Sequence, residues 1–406
     1  MRMKSFWRHA SIFALLVLLA GGAQAQLQTG NVYGEVADNQ GQPLPGVTIT
    51  LTGIGAPKIQ ITNAEGQYRF LGLSPGNYQL EAALEGFSTV EYPSVNIRVG
   101  RNTTINVTLS PAVEDVITVT SESPLLDERR LGPGTTVTSV ELERIPTSRD
   151  PWSLLNQAPG VQVDRINVGG NESGQQSVFV GTGSHSNDNS FAVDGVVITD
   201  MSAIGASPTY YDFDAFEELQ LSTGGTDISS TTGGVTVNLV TKRGTNEWRG
   251  SARFLSTDSG LQDSSGFSSG DLAPGQTSLQ PNEIDEITDQ GFEVGGFVIK
   301  DRLWVWGAYG EQDIVNLVAG GTRDATILEN YNSKINAQIS SSNSGLFQFS
   351  RGDKIKDGRG AGPQRPPETT RDQSGPTEIW KLEDTHNFNS NIYLTGLRTY
   401  VDGAFG

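Results

Sequence analysis

Three groups of residues have the types and spacing that chemistry requires, and each can be tested on the sequence. Ser184, His185 and Asp188 combine a hydroxyl, an imidazole and a carboxylate within five positions. A hydrolytic triad draws its members from separate elements and orients the base with a buried acid. Here all three share one Gly-, Ser- and Asn-rich stretch, which reads as a solvated turn. The acidic run from Asn282 to Asp289 lacks the alternating oxygen ligands and the glycine of a calcium loop, so it reads as a solvated outer loop. Arg351-Gly352-Asp353 matches an adhesive tripeptide, but three common polar residues recur by chance and carry almost no weight. Apart from His9, the only histidines are His185 and His386, and there is no cysteine. A zinc site of the carboxypeptidase kind, thiolate chemistry and disulfides are therefore not expected. No catalytic residue, metal or cofactor is expected.

The elements that carry these residues are short strands and turns. Glycine contributes 49 of 406 residues, against an average of about 7%. Formal net charge is -18, which disfavours nucleic acid as a partner because phosphate binding needs the opposite sign. Arg2, Lys4 and Arg8 precede an apolar run from Ala10 to Ala20, and Ala23-Gln24-Ala25 supplies small residues before an expected cut between Ala25 and Gln26. That pattern is a secretory signal peptide over residues 1–25. The run is too short to cross ~30 Å of hydrocarbon as a helix.

Residues 26–111 show β-rich runs at Val32 to Ala37, Val47 to Leu51, Ile59 to Thr62, Tyr68 to Phe70, Tyr78 to Ala83, Val95 to Val99 and Ile105 to Leu109, which predicts a small β-sandwich. A linker over 112–133 then carries Asp115, Val116, Ile117, Thr118, Val119 and Thr120. This strand has no obvious partner in the sequence, and such a strand can add to another protein's sheet edge. The alternative is that it completes the preceding sandwich or leads into the next domain. Residues 134–244 read as an α+β unit. Thr138 with Glu141 predicts a capping box for a helix through Arg144, Asp150-Pro151 opens a second helix, and Asp194-Gly195 is a tight hairpin turn.

From residue 245 the period changes to strict alternation. Trp248, Gly250, Ala252 and Phe254 alternate with Arg249, Ser251 and Arg253. Tyr331, Ser333, Ile335, Ala337 and Ile339 alternate with Asn332, Lys334, Asn336 and Gln338. One face then meets an apolar medium and the other water, as in a transmembrane β-barrel wall. Leu303-Trp304-Val305-Trp306 and Tyr309 read as an interfacial girdle, and Ser256 to Thr288 and Gly358 to Pro376 as polar loops on the exterior side.

The junction Val235 to Thr241, Lys242-Arg243, Gly244-Thr245-Asn246 and the aromatic-led strand behind it resembles the end of the plug and the first barrel strand of TonB-dependent outer-membrane receptors, in particular the Oar-like group. Leu154-Leu155 before Pro159-Gly160-Val161, the Val193-Asp194-Gly195-Val196 hairpin and Phe216-Glu217-Glu218-Leu219-Gln220 resemble plug features of the same family. Gly34-x-Val36-x-Asp38 through Pro43-Leu44-Pro45-Gly46-Val47, with Thr62-Asn63-Ala64-Glu65-Gly66 and Pro75-Gly76-Asn77-Tyr78, resembles the carboxypeptidase-regulatory-like domain. Where family plugs often carry an Arg-Gly pair ahead of the hairpin, Val180-Gly181-Thr182-Gly183 stands here.

The resemblance implies a mainly β chain: an N-terminal β-sandwich, an α+β plug domain and, over 245–406, the first strands of an incomplete transmembrane β-barrel. About seven strands are legible, where a plugged transporter barrel of this type closes with about 22. It also implies a receptor and transporter in the outer membrane of a Gram-negative bacterium, with its N-terminal domains in the periplasm and the barrel lumen. Its partners would be outer-membrane lipid, an unknown extracellular substrate and the periplasmic domain of TonB, which would grip Asp115 to Thr120 as the TonB box. His185, Asn187, Asp188, Tyr210 and Tyr211 are candidate substrate contacts at the plug apices, and packing of the plug against the barrel is the other account of the tyrosines. Two rivals remain on sequence alone: a surface adhesion or structural β protein without transport, and an enzyme with the sandwich as its regulatory domain.

Overall fold

The period of the apolar residues changes twice along the chain, and the architecture changes with it. The computed structural model describes residues 29–54, 57–111, 116–118, 134–200, 203–207, 209–223, 232–263, 282–318, 322–362, 365, 367–389 and 392–404. Ala25, Gln26, Asp115, Val119 and Thr120 lie outside these residues.

Strands β1 (Gly30–Asp38), β2 (Thr48–Thr52), β3 (Lys58–Ile61), β4 (Gln67–Leu73), β5 (Gly76–Ala83), β6 (Thr89–Ile97), β7 (Asn102–Thr104), β8 (Val107–Leu109) and β9 (Val116–Thr118) build the first unit. One sheet runs β4-β1-β7 with β8 also on β1, and the other β3-β2-β5-β6-β9. Val32, Val36, Ile49, Leu51, Tyr78, Leu80 and Ala82 fill the core, each at alternate positions of its strand. The Tyr68 hydroxyl, buried with them, donates to the Ile105 carbonyl at 2.7 Å. The Asp38 carboxylate closes its turn by accepting from the amides of Gln40 and Gln42, both at 2.8 Å. β6 begins six residues before the predicted Val95 because the chain passes through Pro93 without breaking. The β5–β6 register slips between Tyr78 and Leu80, opposite that proline. A bulge leaves a residue off the ladder, so the missing N–H goes unused.

The second unit holds β10 (Gly134–Thr138), α1 (Ser139–Leu142), α2 (Pro151–Leu154), β11 (Gln162–Val163), β12 (Phe179–Val180), β13 (Ser190–Val193), β14 (Val196–Val197), β15 (Phe216–Ser222) and β16 (Thr236–Thr241). Its main sheet runs β10-β15-β16-β13-β14. β16 lies in the middle, parallel to β13 and antiparallel to β15, with Val237 to Thr241 all buried. That position accounts for burial on both faces, with the polar Asn238 and Thr241 buried beside Val237, Leu239 and Val240. Both predicted helix starts are present. Glu141 Oε2 accepts from the amide and hydroxyl of Thr138, each at 2.8 Å. Asp150 Oδ1 accepts from the amides of Trp152 and Ser153 at 2.7 and 3.0 Å. α2 buries Trp152 edge-on against Phe191, with centroids 5.6 Å apart.

The third unit is an antiparallel meander of β17 (Arg249–Asp258), β18 (Glu283–Ile299), β19 (Leu303–Val318), β20 (Thr322–Ser340), β21 (Asn343–Arg359), β22 (Arg371–Ser374), β23 (Thr377–Asn389) and β24 (Ile392–Gly403). The order is β17-β18-β19-β20-β21-β23-β24, with β22 added to β21. β20 spans 19 residues and β18 17, more than the roughly 9–11 that a tilted strand needs to cross hydrocarbon. No helix among the described residues is long and apolar enough to cross a membrane. The alternation on β20 is as predicted: Tyr331, Ile335 and Ile339 are exposed on one face while Lys334 is buried on the other.

Three expectations need correction. The acidic run from 282 is not a loop: Glu283 to Asp289 open β18, with Ile287 and Asp289 buried against the plug side. The loops predicted over 256–288 and 358–376 are accordingly shorter, since β17 continues to Asp258, β21 to Arg359, and β22 lies inside the second. Trp304 and Trp306 do not form an outer girdle. They point inward and are 3% and 5% exposed, because parity places them opposite Tyr309. Tyr309 does lie on the outer face, its ring 6.0 Å from Phe292 and 5.1 Å from Tyr331. Arg351-Gly352-Asp353 lies within β21.

Candidate functional site at the plug and the barrel wall

The hairpin between β13 and β14 turns on Asp194 and Gly195, with φ of 47° and 75°. Two left-handed residues in succession make the turn whose twist matches paired strands, and aspartate tolerates that region better than most side chains. The turn brings one carboxylate to a crowded place. Asp194 Oδ1 accepts from the Thr241 amide at 3.2 Å and Oδ2 from the Thr241 hydroxyl at 2.5 Å. Lys334, from β20, donates to Asp194 Oδ1 and to the Thr241 carbonyl, both at 2.9 Å. Lys381, from β23, donates to the Asp194 carbonyl at 2.9 Å and pairs with Glu383 at 2.7 Å. Gly195 N–H donates to Asn238 Oδ1 at 3.0 Å. Asp194, Lys334 and Lys381 are each 1% exposed.

Ions taken from water to such a place lose several kcal/mol of hydration each, and only dense pairing offsets the loss. Here the hairpin's carboxylate and carbonyl both meet wall ammonium groups. The plug turn is thereby seated on the inner face of the sheet. Apolar contacts extend the seat: Ile379 of β23 enters the plug core, and Ala215 packs on Trp306 and Ala308.

A second group of charges crosses the same boundary, with cations and anions on both sides. Arg149 of the plug pairs with wall Asp289 at 3.0 Å and with Asp214 at 2.8 Å. Arg253 of the wall meets Asp212, Asp214 and Asp289 at 2.8, 3.0 and 2.7 Å. Burial pushes the Asp212 carboxyl above the ordinary carboxylate range, and the Arg253 guanidinium opposes the rise. On β21, Lys354 donates to the Gly174 carbonyl at 2.5 Å and to the Tyr210 hydroxyl at 2.9 Å, its ammonium 4.6 Å from that ring's centre.

The five candidate substrate contacts separate into two groups. His185 and Asn187 are exposed on a one-turn 3₁₀ segment, and Asp188 accepts from the His185 amide at 3.0 Å. The turn caps itself, and Ser184 Oγ bonds within the same loop, to Gly181. Residues 203–207 lie directly on it, since a Cβ on Gly205 would come 2.1 Å from the Ser186 carbonyl. Tyr210 and Tyr211 belong to the packing instead. Tyr211 sits against Trp152 and Phe216, with ring centres 6.0 and 5.9 Å apart, and its hydroxyl meets Ser207. Burial raises both phenols, Tyr210 to about 12. Lys334, Lys354 and Lys381 were absent from the sequence-based candidates. Alternation puts them on the wet face of their strands, but nothing local names the plug atoms that they reach.

The strand at 116–118 has a partner. Val116, Ile117 and Thr118 lie parallel to Thr89, Val90 and Glu91 of β6, at the end of the sandwich sheet. Just beyond β6 the sandwich touches the plug: Arg101 donates to Thr136 Oγ1 at 3.0 Å, and Gln220 donates to the Val99 carbonyl at 2.9 Å.

The TonB-dependent receptor plug domain model matches residues 130–236, and the carboxypeptidase regulatory-like domain model residues 31–110. The TonB-dependent transporter Oar of Myxococcus xanthus is 29% identical over 328 residues, 76% of this chain. Together these matches support a TonB-dependent receptor of the Oar-like group. It spans 29% of the length of that Oar relative. Among solved structures, the siderophore receptor PirA of Acinetobacter baumannii aligns with a TM-score of 0.47 at 16% identity, over 67% of this chain and 40% of that one. The alcaligin receptor FauA of Bordetella pertussis aligns with a TM-score of 0.45 at 14% identity, over 70% of this chain and 40% of that one. TonB-dependent receptors are a family of receptors and transporters, not of enzymes.

Proposed function

We propose that this chain belongs to an outer-membrane receptor that binds an extracellular substrate and admits it to the periplasm through a plugged β-barrel, with plug movement energised by TonB. The sandwich faces the periplasm, the plug occupies the lumen, and Asp115 to Thr120 form the TonB box. His185, Asn187 and Asp188 are the apical residues offered to substrate, whereas Tyr210 and Tyr211 support them from behind. The observation that carries this reading is the seating of one plug hairpin by lysines from two wall strands, Lys334 and Lys381 on Asp194. A domain merely tethered to a barrel has no need of buried charges aimed at it. A plug that must block the lumen and later move does, because polar contacts fix one position while apolar contact with the wall stays limited to a few residues such as Ile379.

The test is a pull-down of the full chain with the periplasmic domain of TonB, comparing wild type with Val116→Pro. Proline removes a backbone donor, and binding should fall at least about tenfold while membrane insertion is unchanged. Equal binding by both forms would place the box elsewhere. Binding by neither would favour an adhesive or structural barrel protein.

A further inference from the structure

The sandwich sheet ends on β9, whose one edge is taken by β6 and whose other edge has no strand on it among the described residues. In a strand the backbone groups of successive residues point to opposite edges, so pairing on one side leaves a complete set of donors and acceptors for the other. An open edge of this kind is a template for a further strand. A partner therefore does not have to strip Val116–Thr118 from the sandwich in order to pair with it.

What lies on the far side of β6 gives the arrangement a mechanical direction. β6 ends at Ile97, and the chain that leaves it makes both sandwich-to-plug hydrogen bonds named above, at Val99 and Arg101. These reach Gln220 on β15 and Thr136 on β10, the neighbouring pair at one edge of the plug sheet. Gly72 of the same sandwich lies against the wall, where an added Cβ would be 3.2 Å from Asn387 Oδ1.

We propose that the periplasmic strand of TonB adds to the outer edge of Val116–Thr118 while that strand stays paired to β6. The amino-terminal sandwich is then a working member of the linkage between TonB and plug. This rests on the TonB-box reading above and adds the route of the force. A pull on β9 shears the β9–β6 ladder and passes through Val99 and Arg101 into the plug edge, in parallel with the covalent linker over 119–133. The sandwich is a lever arm on the plug, not an appendage that hides the box.

The test locks the strand in place. The chain has no cysteine, so Glu91→Cys with Thr118→Cys, and separately Thr89→Cys with Val116→Cys, each introduce one possible disulfide between Cα partners of the parallel register. Adjacent strands are about 4.8 Å apart, within the Cα separation that a disulfide spans. The full chain is inserted, oxidised, and assayed for binding to the TonB periplasmic domain before and after reduction. The expected result is a cross-link in both pairs and oxidised affinity within about threefold of the reduced form. Binding lost on oxidation and recovered on reduction would overturn the proposal while leaving the TonB box intact. Failure of either pair to cross-link in folded, inserted protein would overturn it by showing that the strand is not held on β6. Absence of binding in wild type and in every reduced variant would remove the TonB-box reading and this one with it.

Discussion

Asp194 and Asp289 each meet a cation across the boundary between plug and wall, yet the two contacts differ in almost every physical respect. At Asp194 the plug supplies the anion and the wall the cations, and all three residues are buried. At Asp289 the wall supplies the anion, and Arg149 on the plug keeps more than a quarter of its side chain in solvent. The first contact is buried and therefore screened much less by salt than the second, which is partly wet. Burial rather than distance therefore decides which of two ion pairs fixes the plug, since both have oxygen and nitrogen about 3 Å apart.

The comparison breaks most decisively at the turn itself. Asp194→Asn keeps a residue that tolerates positive φ but strands Lys334 without a counter-charge. A loss on the order of 3–5 kcal/mol in plug seating follows, read as protease cleavage of the plug in membrane-inserted protein at lower urea. Lys334→Met is milder, because the Asp194 carboxylate keeps both Thr241 donors; about 1–3 kcal/mol is expected. Combined with Asp194→Asn, the double variant should lose well under the sum of the two single losses, and strict additivity would show that the pair is not coupled.

Arg149→Gln sharpens the other side of the contrast. Its effect should stay below about 1 kcal/mol and shrink further in high salt; a larger, salt-independent loss would place Arg149 with Asp194. The smallest change concerns Glu218 at the sandwich contact, whose carboxyl is pushed up by burial, with Gln220 and Arg98 opposing. A raised folded value means that the folded state binds the extra proton, so stability falls as pH rises through that value and is greatest below the ordinary carboxylate range. Glu218→Gln should flatten this slope in melting temperature measured from pH 5 to pH 8. A steeper slope would reverse the assigned sign.

Much of the fold is legible because its causes are local. Asp150-Pro151, Thr138 with Glu141, and Asp194-Gly195 are read within four residues, and each appears in the structure as the sequence predicts. The alternation on β20 likewise reports its own surroundings. Parity also held the answer for Trp304 and Trp306, which share a face with Ala308 and not with Tyr309; aromatic content outweighed it in the sequence reading. The acidic start of β18 was hidden because a strand whose wet face meets Arg149 of the plug and Arg253 of the next strand looks like a loop by composition. The candidate site was the least legible part. Lys334 and Lys381 meet Asp194 from 140 and 187 residues away, and the sequence holds no signal of which wet-face lysine faces which plug turn.

Those same separations set an order of events during folding. The hairpin around Asp194 closes between adjacent residues and can form in microseconds, whereas its seat exists only once β20 and β23 occupy one sheet, with β21 between them. Until then the chain carries one carboxylate and two ammonium groups that are hydrated and mutually distant. The hairpin can thus close before it is lodged, and lodging it dehydrates its carboxylate together with the two ammonium groups.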